Sequence, residues 1–152
     1  MARRIRPLRV YVDTSVFGGV FDAEFERASR EFFKQARSGR FRAVLSGIVI
    51  SELENAPPNV FELYRQVASQ SEFVDLTQDA ETLAKSYILA GVVGRGRLID
   101  ATHVAIATVA GCNAIVSWNF RHIVHLEKVA LYNAINRIHG YHEKSRYVLR
   151  AR

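Results

Sequence analysis

Four oxygen-bearing side chains, Asp13, Glu52, Asp100 and Asn119, stand at places along the 152-residue chain where chemistry can gather. Asp13 follows the apolar triplet Val10-Tyr11-Val12. Glu52 lies in a helical stretch just after Ala43-Val44-Leu45-Ser46. Asp100 opens a small-residue helical run behind a Gly- and Arg-rich loop, and Asn119 lies two residues past Ser117. Carboxylates brought together raise each other's pKa and need compensation. A hard divalent cation with oxygen ligands, Mg²⁺ or Mn²⁺, is the usual one. Held by Asp13 and Asp100, such an ion would polarise a phosphodiester oxygen and lower the pKa of a bound water. Each residue also has a plainer reading. Asp13 could form a local turn with Thr14 and Ser15, and Asp100 could face a helix dipole. Glu52 and its neighbour Glu54 could be solvated, and Asn119 could cap the following turn. It is the joint placement of the four that favours a site.

Supporting groups surround these positions. Ser15 and Ser117 could each hold a water or a phosphate oxygen, or cap the backbone. His103, three residues after Asp100, shares roughly that helix face. It either approaches a scissile phosphate or packs beside the sheet. His122 and His125 have the spacing of a metal pair but no third nitrogen or sulfur ligand nearby. Trp118 and Phe120 either stack on bases or belong to the core. A P-loop is excluded, because Gly91-Val92-Val93-Gly94-Arg95-Gly96 lacks both its spacing and its Lys-Ser/Thr ending. A haloacid-dehalogenase-type phosphatase is excluded by Ser15 and Phe17, where that pattern needs Asp and then Gly.

The elements that must position these residues alternate. Short apolar strands are expected at 9–12, 43–46, 72–76 and 113–117. Helices are expected over about 23–38, 48–55, from an Asn59 cap through Val67, from a Thr77 cap through Ile88, over 99–110, and through Leu131 to Ile138. Gly39, Gly91, Gly111 and Gly140 mark the stops. Strands alternating with long helices predict a parallel sheet covered on both faces. In such sheets polar groups gather at the carboxyl ends of the strands. At 3- and 4-residue spacing, Phe25, Ala28, Phe32 and Ala36 share one helix face, opposite Arg27, Arg30, Lys34 and Arg37. That basic stripe binds phosphate or an acidic partner, or is simply a solvent face.

Composition bounds the classes. The chain is 49% hydrophobic and 24% charged, which predicts one globular domain and argues against disorder. No apolar run is long enough for a membrane span. The single Cys112 excludes a disulfide scaffold and fits a reducing, cytoplasmic setting. The basic opening Met1–Arg6 has no apolar stretch behind it, so a signal peptide is not expected. The net charge is +6, and 17 of the 21 basic residues are Arg, which suits a polyanion.

Val10-Tyr11-Val12-Asp13-Thr14-Ser15 resembles the opening motif of PIN domains, small ribonuclease domains that include VapC-type toxins of toxin–antitoxin pairs. The stretch from Ser46 through Glu52-Leu53 resembles their second acidic motif. Leu98-Ile99-Asp100-Ala101-Thr102-His103 and the run on to Ala110 resemble their third, and Ile115-Val116-Ser117-Trp118-Asn119-Phe120 their fourth. The resemblance covers about residues 9–125. It implies a three-layer α/β/α sandwich with a central, mostly parallel sheet of about four to five strands. Residues 1–152 would form a single domain with basic extensions at 1–8 and 141–152. It further implies a Mg²⁺- or Mn²⁺-dependent endoribonuclease, a homodimer, and a small antitoxin as protein partner. By position, Asp13, Glu52 and Asp100 would hold the metal, with Asn119 in the fourth catalytic place. Thr14, Ser15, Ser117 and His103 would support them. Arg95, Arg97, Arg27 and Arg30 are the candidate RNA contacts. Asn119 departs from the acid usual in the fourth motif. That departure motivates an alternative, a PIN-like RNA- or protein-binding module with weak or no cleavage; a DNA-directed nuclease of related architecture is a third reading.

The charge is unevenly spread. Residues 13–136 carry 12 basic and 14 acidic groups, so the excess sits at the two ends. Those Arg-rich ends are expected to hold phosphate nonspecifically.

Overall fold

The computed structural model describes residues 7–141, so most of both expected basic extensions lies outside the described residues. Eleven regular elements follow one another among the described residues: β1 (Leu8–Val12), α1 (Thr14–Gly19), α2 (Glu26–Arg37), β2 (Phe41–Ser46), α3 (Gly47–Leu53), α4 (Pro58–Ala68), β3 (Glu72–Val74), α5 (Gln78–Leu89), α6 (Leu98–Val109), β4 (Ala114–Val116) and α7 (Leu126–Ile138). A short 3-10 turn, Arg95–Arg97, leads into α6. No described helix is long and apolar enough to cross a membrane.

The four strands form one sheet in the order β3-β2-β1-β4, and every neighbouring pair is parallel. Alternation along the strands feeds two cores. Tyr11, Val44 and Ile115 face one side, where α5, α6 and α7 pack. Val12, Ala43, Leu45 and Val116 face the other, with α1 to α4. Strands buried on both faces read as continuous apolar runs, as parallel sheets require. The result is the expected α/β/α sandwich with four strands.

The strand order creates a switch point. From β1 the chain steps outward through β2 to β3, then crosses back to place β4 on the other side of β1. The carboxyl ends of β1 and β4 flank this switch point, where open α/β sheets generally place their ligand sites. At the opposite end Arg9 ties the sheet together. Its guanidinium pairs with both Glu72 oxygens, at 2.8 and 2.9 Å, and donates to the Ala110 carbonyl. Arg9 is therefore a structural cation, not one of the free phosphate holders expected at the amino end.

Several local expectations change. The sequence pattern misses α1, six residues that begin directly after Asp13. The helix assigned to an Asn59 cap starts earlier, with Pro57 at the cap and Pro58 in the first turn. Proline suits that position because its missing N–H would have no helical partner. α7 begins at Leu126, β2 at Phe41, while β3 and β4 are three residues each. On α2 the expected face meets the core, with Phe32 buried and Phe25 and Ala28 packed against it, and the buried side widens to take in Ser29 and Phe33. Thr77 does cap α5, accepting from the Ala80 N–H. The glycines expected to stop helices all adopt positive φ, from 75° to 83°. That left-handed conformation carries little penalty for a residue without Cβ.

Candidate metal centre at the sheet switch point

β1 delivers Asp13 to the switch point, and β4 delivers Ser117 beside it; the Asp13 N–H donates to the Val116 carbonyl at 3.0 Å. Asp13 occupies the N-cap position of α1, yet its side chain makes no capping bond. The turn reading therefore fails for this carboxylate. Oδ2 instead accepts from two hydroxyls, Ser15 Oγ at 2.7 Å and Ser117 Oγ at 2.8 Å. Each serine is anchored in turn, Ser15 by the Trp118 N–H and Ser117 by the Asn119 N–H, both at 2.9 Å. Asp13 is buried and its orientation is over-determined. Both serine hydroxyls are thus engaged in holding Asp13.

Glu52 arrives from α3 and reaches Thr14 and His103, whereas Glu54 caps the exposed end of that helix. Glu52 Oε1 accepts from Thr14 Oγ1 at 2.8 Å and meets His103 Nε2. Burial pushes the Glu52 carboxyl upward, but the His103 hydrogen bond, its charge and the Thr14 bond together hold it below the ordinary value.

His103 sits on α6 with 1% exposure, beneath the acids. Its Nε2 lies 3.5 Å from Asp13 Oδ1 as well as against Glu52. Its Nδ1 is 2.6 Å from the Tyr11 hydroxyl, which is 2.8 Å from Ser46 Oγ. Burial alone would lower the His103 pKa; the Glu52 hydrogen bond and the charges of Asp13, Glu52 and Asp100 raise it overall. His103 packs beside the sheet, as one of its two readings had it, and its Nε2 reaches the acids.

Asp100 is half-buried in the first turn of α6. Its carboxyl is pushed up, first by burial and then by the Asp13 charge. Asn119 Nδ2 donates to Asp100 Oδ1 at 3.2 Å, while Asn119 Oδ1 accepts from the His122 N–H at 3.0 Å. The Asn119 carbonyl thus caps the turn, and its amide faces the acid.

Among the described residues the compact ligand group is Asp13, Glu52 and His103, with one donor atom from each within 4.8 Å of the others. A six-coordinate divalent ion with bonds of about 2.1 Å spaces its donors about 3–4.2 Å apart. His103 Nε2 and Asp13 Oδ1, 3.5 Å apart, lie in that range, whereas Nε2 and Glu52 Oε1, at 2.5 Å, are hydrogen-bonded and must separate before both bind one ion. Two carboxylates and an imidazole are a donor set suited to a divalent cation. Asp100 stands outside this group, coupled to it through the Asp13 charge. His122 and His125 join no such group among the described residues. The residue that sequence reasoning underrated is His103: its spacing from Asp100 was visible, but its contact with Glu52 depends on α3 packing near α6.

The aromatic and basic candidates separate. Trp118 is core: it stacks on Phe25 with ring centroids 5.1 Å apart, and its indole N–H donates to Ser29 at 2.9 Å. Gly19 makes that possible, since a Cβ there would come within 2.5 Å of both partner atoms. Phe120 remains 42% exposed beside Phe25. Arg95 and Arg97 are exposed in the turn before Asp100, and the Arg97 charge is felt by both Asp100 and His122. Arg27 and Arg30 are exposed on α2, where Arg30 pairs with Glu26 at 3.2 Å.

Asp13, Glu52 and His103 thus gather at the switch point of a parallel α/β/α sheet. Residues 10–123 match the PIN domain family, and the chain belongs to it. No curated protein matches the chain. Solved structures similar in fold include VapBC2 from Rickettsia felis bound to a promoter DNA fragment, at 12% identity and TM-score 0.57, covering 76% of this chain and 93% of that one. The sarcin-ricin loop cleaving toxin VapC20 from Mycobacterium tuberculosis is similar at 14% identity and TM-score 0.56, covering 74% and 92%. A toxin–antitoxin complex from Klebsiella pneumoniae is similar at 16% identity and TM-score 0.56, covering 78% and 93%.

Proposed function

We propose that this chain is a Mg²⁺- or Mn²⁺-dependent endoribonuclease, the toxin of a toxin–antitoxin pair. The observation that carries this reading is the convergence of Asp13, Glu52 and His103, with Asp100 alongside, at the carboxyl edge of β1. The PIN family membership and the toxin neighbours support it. When bound, a divalent cation supplies Lewis-acid polarisation of a phosphoryl oxygen and a lowered pKa for water.

The protein's part is positioning and electrostatics, which dominate phosphoryl chemistry. Asp13 is held in one orientation by Ser15 and Ser117, so little reorganisation is needed when positive charge arrives. Thr14 fixes Glu52 in the same way. Asn119 holds Asp100 by its amide. Arg95 and Arg97, exposed on the turn beside Asp100, offer phosphate contacts where the acids alone would repel RNA. The antitoxin partner, a homodimeric state and a cytoplasmic location belong to the same reading.

The test is cleavage of structured RNA by purified protein, with Mg²⁺ or Mn²⁺ and with EDTA. Cleavage that needs the cation and disappears in Asp13→Asn and Asp100→Asn is expected. An Asp100→Asn protein cutting at the wild-type rate would overturn the site. Asn119 favours a second reading, a module that binds RNA or protein and no longer cuts. Under it the wild type binds RNA without cleaving, and Asn119→Asp raises cleavage strongly.

A further inference from the structure

His103 offers a nitrogen to a site that is otherwise all oxygen. We propose that His103 Nε2 is a direct ligand of the divalent ion, and that this selects a first-row transition cation such as Mn²⁺ or Co²⁺ over Mg²⁺. The inference rests on the divalent-ion reading of the site and names which ion that site prefers.

The argument begins with the other ring nitrogen. Nδ1 lies 2.6 Å from the Tyr11 hydroxyl, which lies 2.8 Å from Ser46 Oγ, all of it buried. The Tyr11 hydroxyl has one proton to donate. That proton has two placements. If Ser46 donates to Tyr11 and Tyr11 donates to Nδ1, then Nε2 carries hydrogen and donates to Glu52. If Nδ1–H donates to the Tyr11 oxygen and Tyr11 donates to Ser46, then Nε2 presents a bare lone pair. The 2.5 Å between Nε2 and Glu52 Oε1 is the hydrogen bond of the first arrangement; the second forms when an ion replaces that proton and Glu52 draws back.

In the second arrangement the lone pair faces Glu52 Oε1 and Asp13 Oδ1, the latter 3.5 Å away. Three electron-rich atoms so close repel one another unless a cation lies among them. The Ser46–Tyr11 pair thus does for His103 what an outer partner does for a metal-bound histidine: its Tyr11 oxygen accepts a hydrogen bond from Nδ1–H and fixes the ring. The imidazole is rigid, being 1% exposed and tilted 58° against the Tyr11 ring. Mg²⁺ favours oxygen and keeps its waters, whereas transition ions accept imidazole. A preorganised nitrogen therefore discriminates between them.

Pulsed electron paramagnetic resonance of the Mn²⁺-loaded full chain tests this. A ¹⁴N modulation is expected, converted to the ¹⁵N pattern when the protein is made with imidazole-¹⁵N histidine, and retained in His122→Gln. Calorimetric titration should give His103→Gln a Mn²⁺-over-Mg²⁺ preference about tenfold lower or more. Should that variant fail to fold, the isotope experiment on the wild type decides alone. Saturable Mn²⁺ binding with no nitrogen modulation, or one insensitive to histidine labelling, overturns the nitrogen ligand and leaves the divalent site standing. No saturable Mn²⁺ binding overturns both.

Discussion

Asn119 donates its side-chain amide to Asp100 across 3.2 Å. An aspartate at 119 has no amide to give. The fourth position is therefore matched to an acid whose pKa is already raised by burial and by Asp13. Asn119→Asp replaces a hydrogen bond to a carboxylate with a like charge. Without metal the variant should lose about 1–3 kcal/mol of stability, read by denaturant unfolding in EDTA. Saturating Mn²⁺ should recover more stability in the variant than in the wild type. Equal unfolding midpoints in EDTA would show that the Asn119 amide does nothing for Asp100.

Glu52 and Glu54 are two residues apart and chemically alike, yet only Glu52 reaches the centre. Glu52→Gln should weaken Mn²⁺ binding by about tenfold or more and abolish cleavage. Glu54→Gln should change neither by more than about twofold, since substitutions at solvated positions are close to neutral. Calorimetry on the two variants side by side separates them, and equal losses would contradict the placement of α3.

Ser15 and Ser117 share one acceptor, Asp13 Oδ2. Ser15→Ala also strands the Trp118 N–H, and Ser117→Ala the Asn119 N–H. Each should cost about 1–3 kcal/mol. Because both act on one carboxylate, the double variant should depart from additivity. Urea unfolding of the three variants measures the coupling, and strict additivity would mean that the two hydroxyls act independently.

The metal-free cluster should carry a pH signature. The Glu52 pKa is lowered from 4.5, so its contribution is present above that value and is lost as pH falls through the lowered one. The His103 pKa is raised from 6.5, so its contribution is complete below that value and is lost as pH rises through the raised one. The Asp100 pKa is raised from 3.8, so ionising it on the way up also costs stability. The difference in unfolding free energy between wild type and His103→Gln, measured in EDTA, should therefore be largest between pH 4.5 and 6.5. It should shrink as pH climbs above that interval. A difference that grows toward pH 9 would contradict the His103–Glu52 pairing.

The layers and the carriers of chemistry were legible in the residue pattern alone. Val10-Tyr11-Val12 alternates between two cores because strand side chains alternate by geometry. Asp13 follows that run, so it had to emerge at a strand end. Gly39, Gly91, Gly111 and Gly140 stop helices for a reason local to each residue. Tertiary structure decided everything that depends on neighbours distant along the chain. The choice of Glu52 over Glu54 came from the packing of α3 beside Thr14 and His103. The use of both serines on Asp13 came from setting β4 against β1, 104 residues away from Asp13 in the case of Ser117. Arg9 changed from a presumed phosphate contact to a clamp because β3 brings Glu72 to it. Local propensity writes strands, helices and stops. Which polar atoms face one another is fixed only when the crossover returns β4 to the far side of β1.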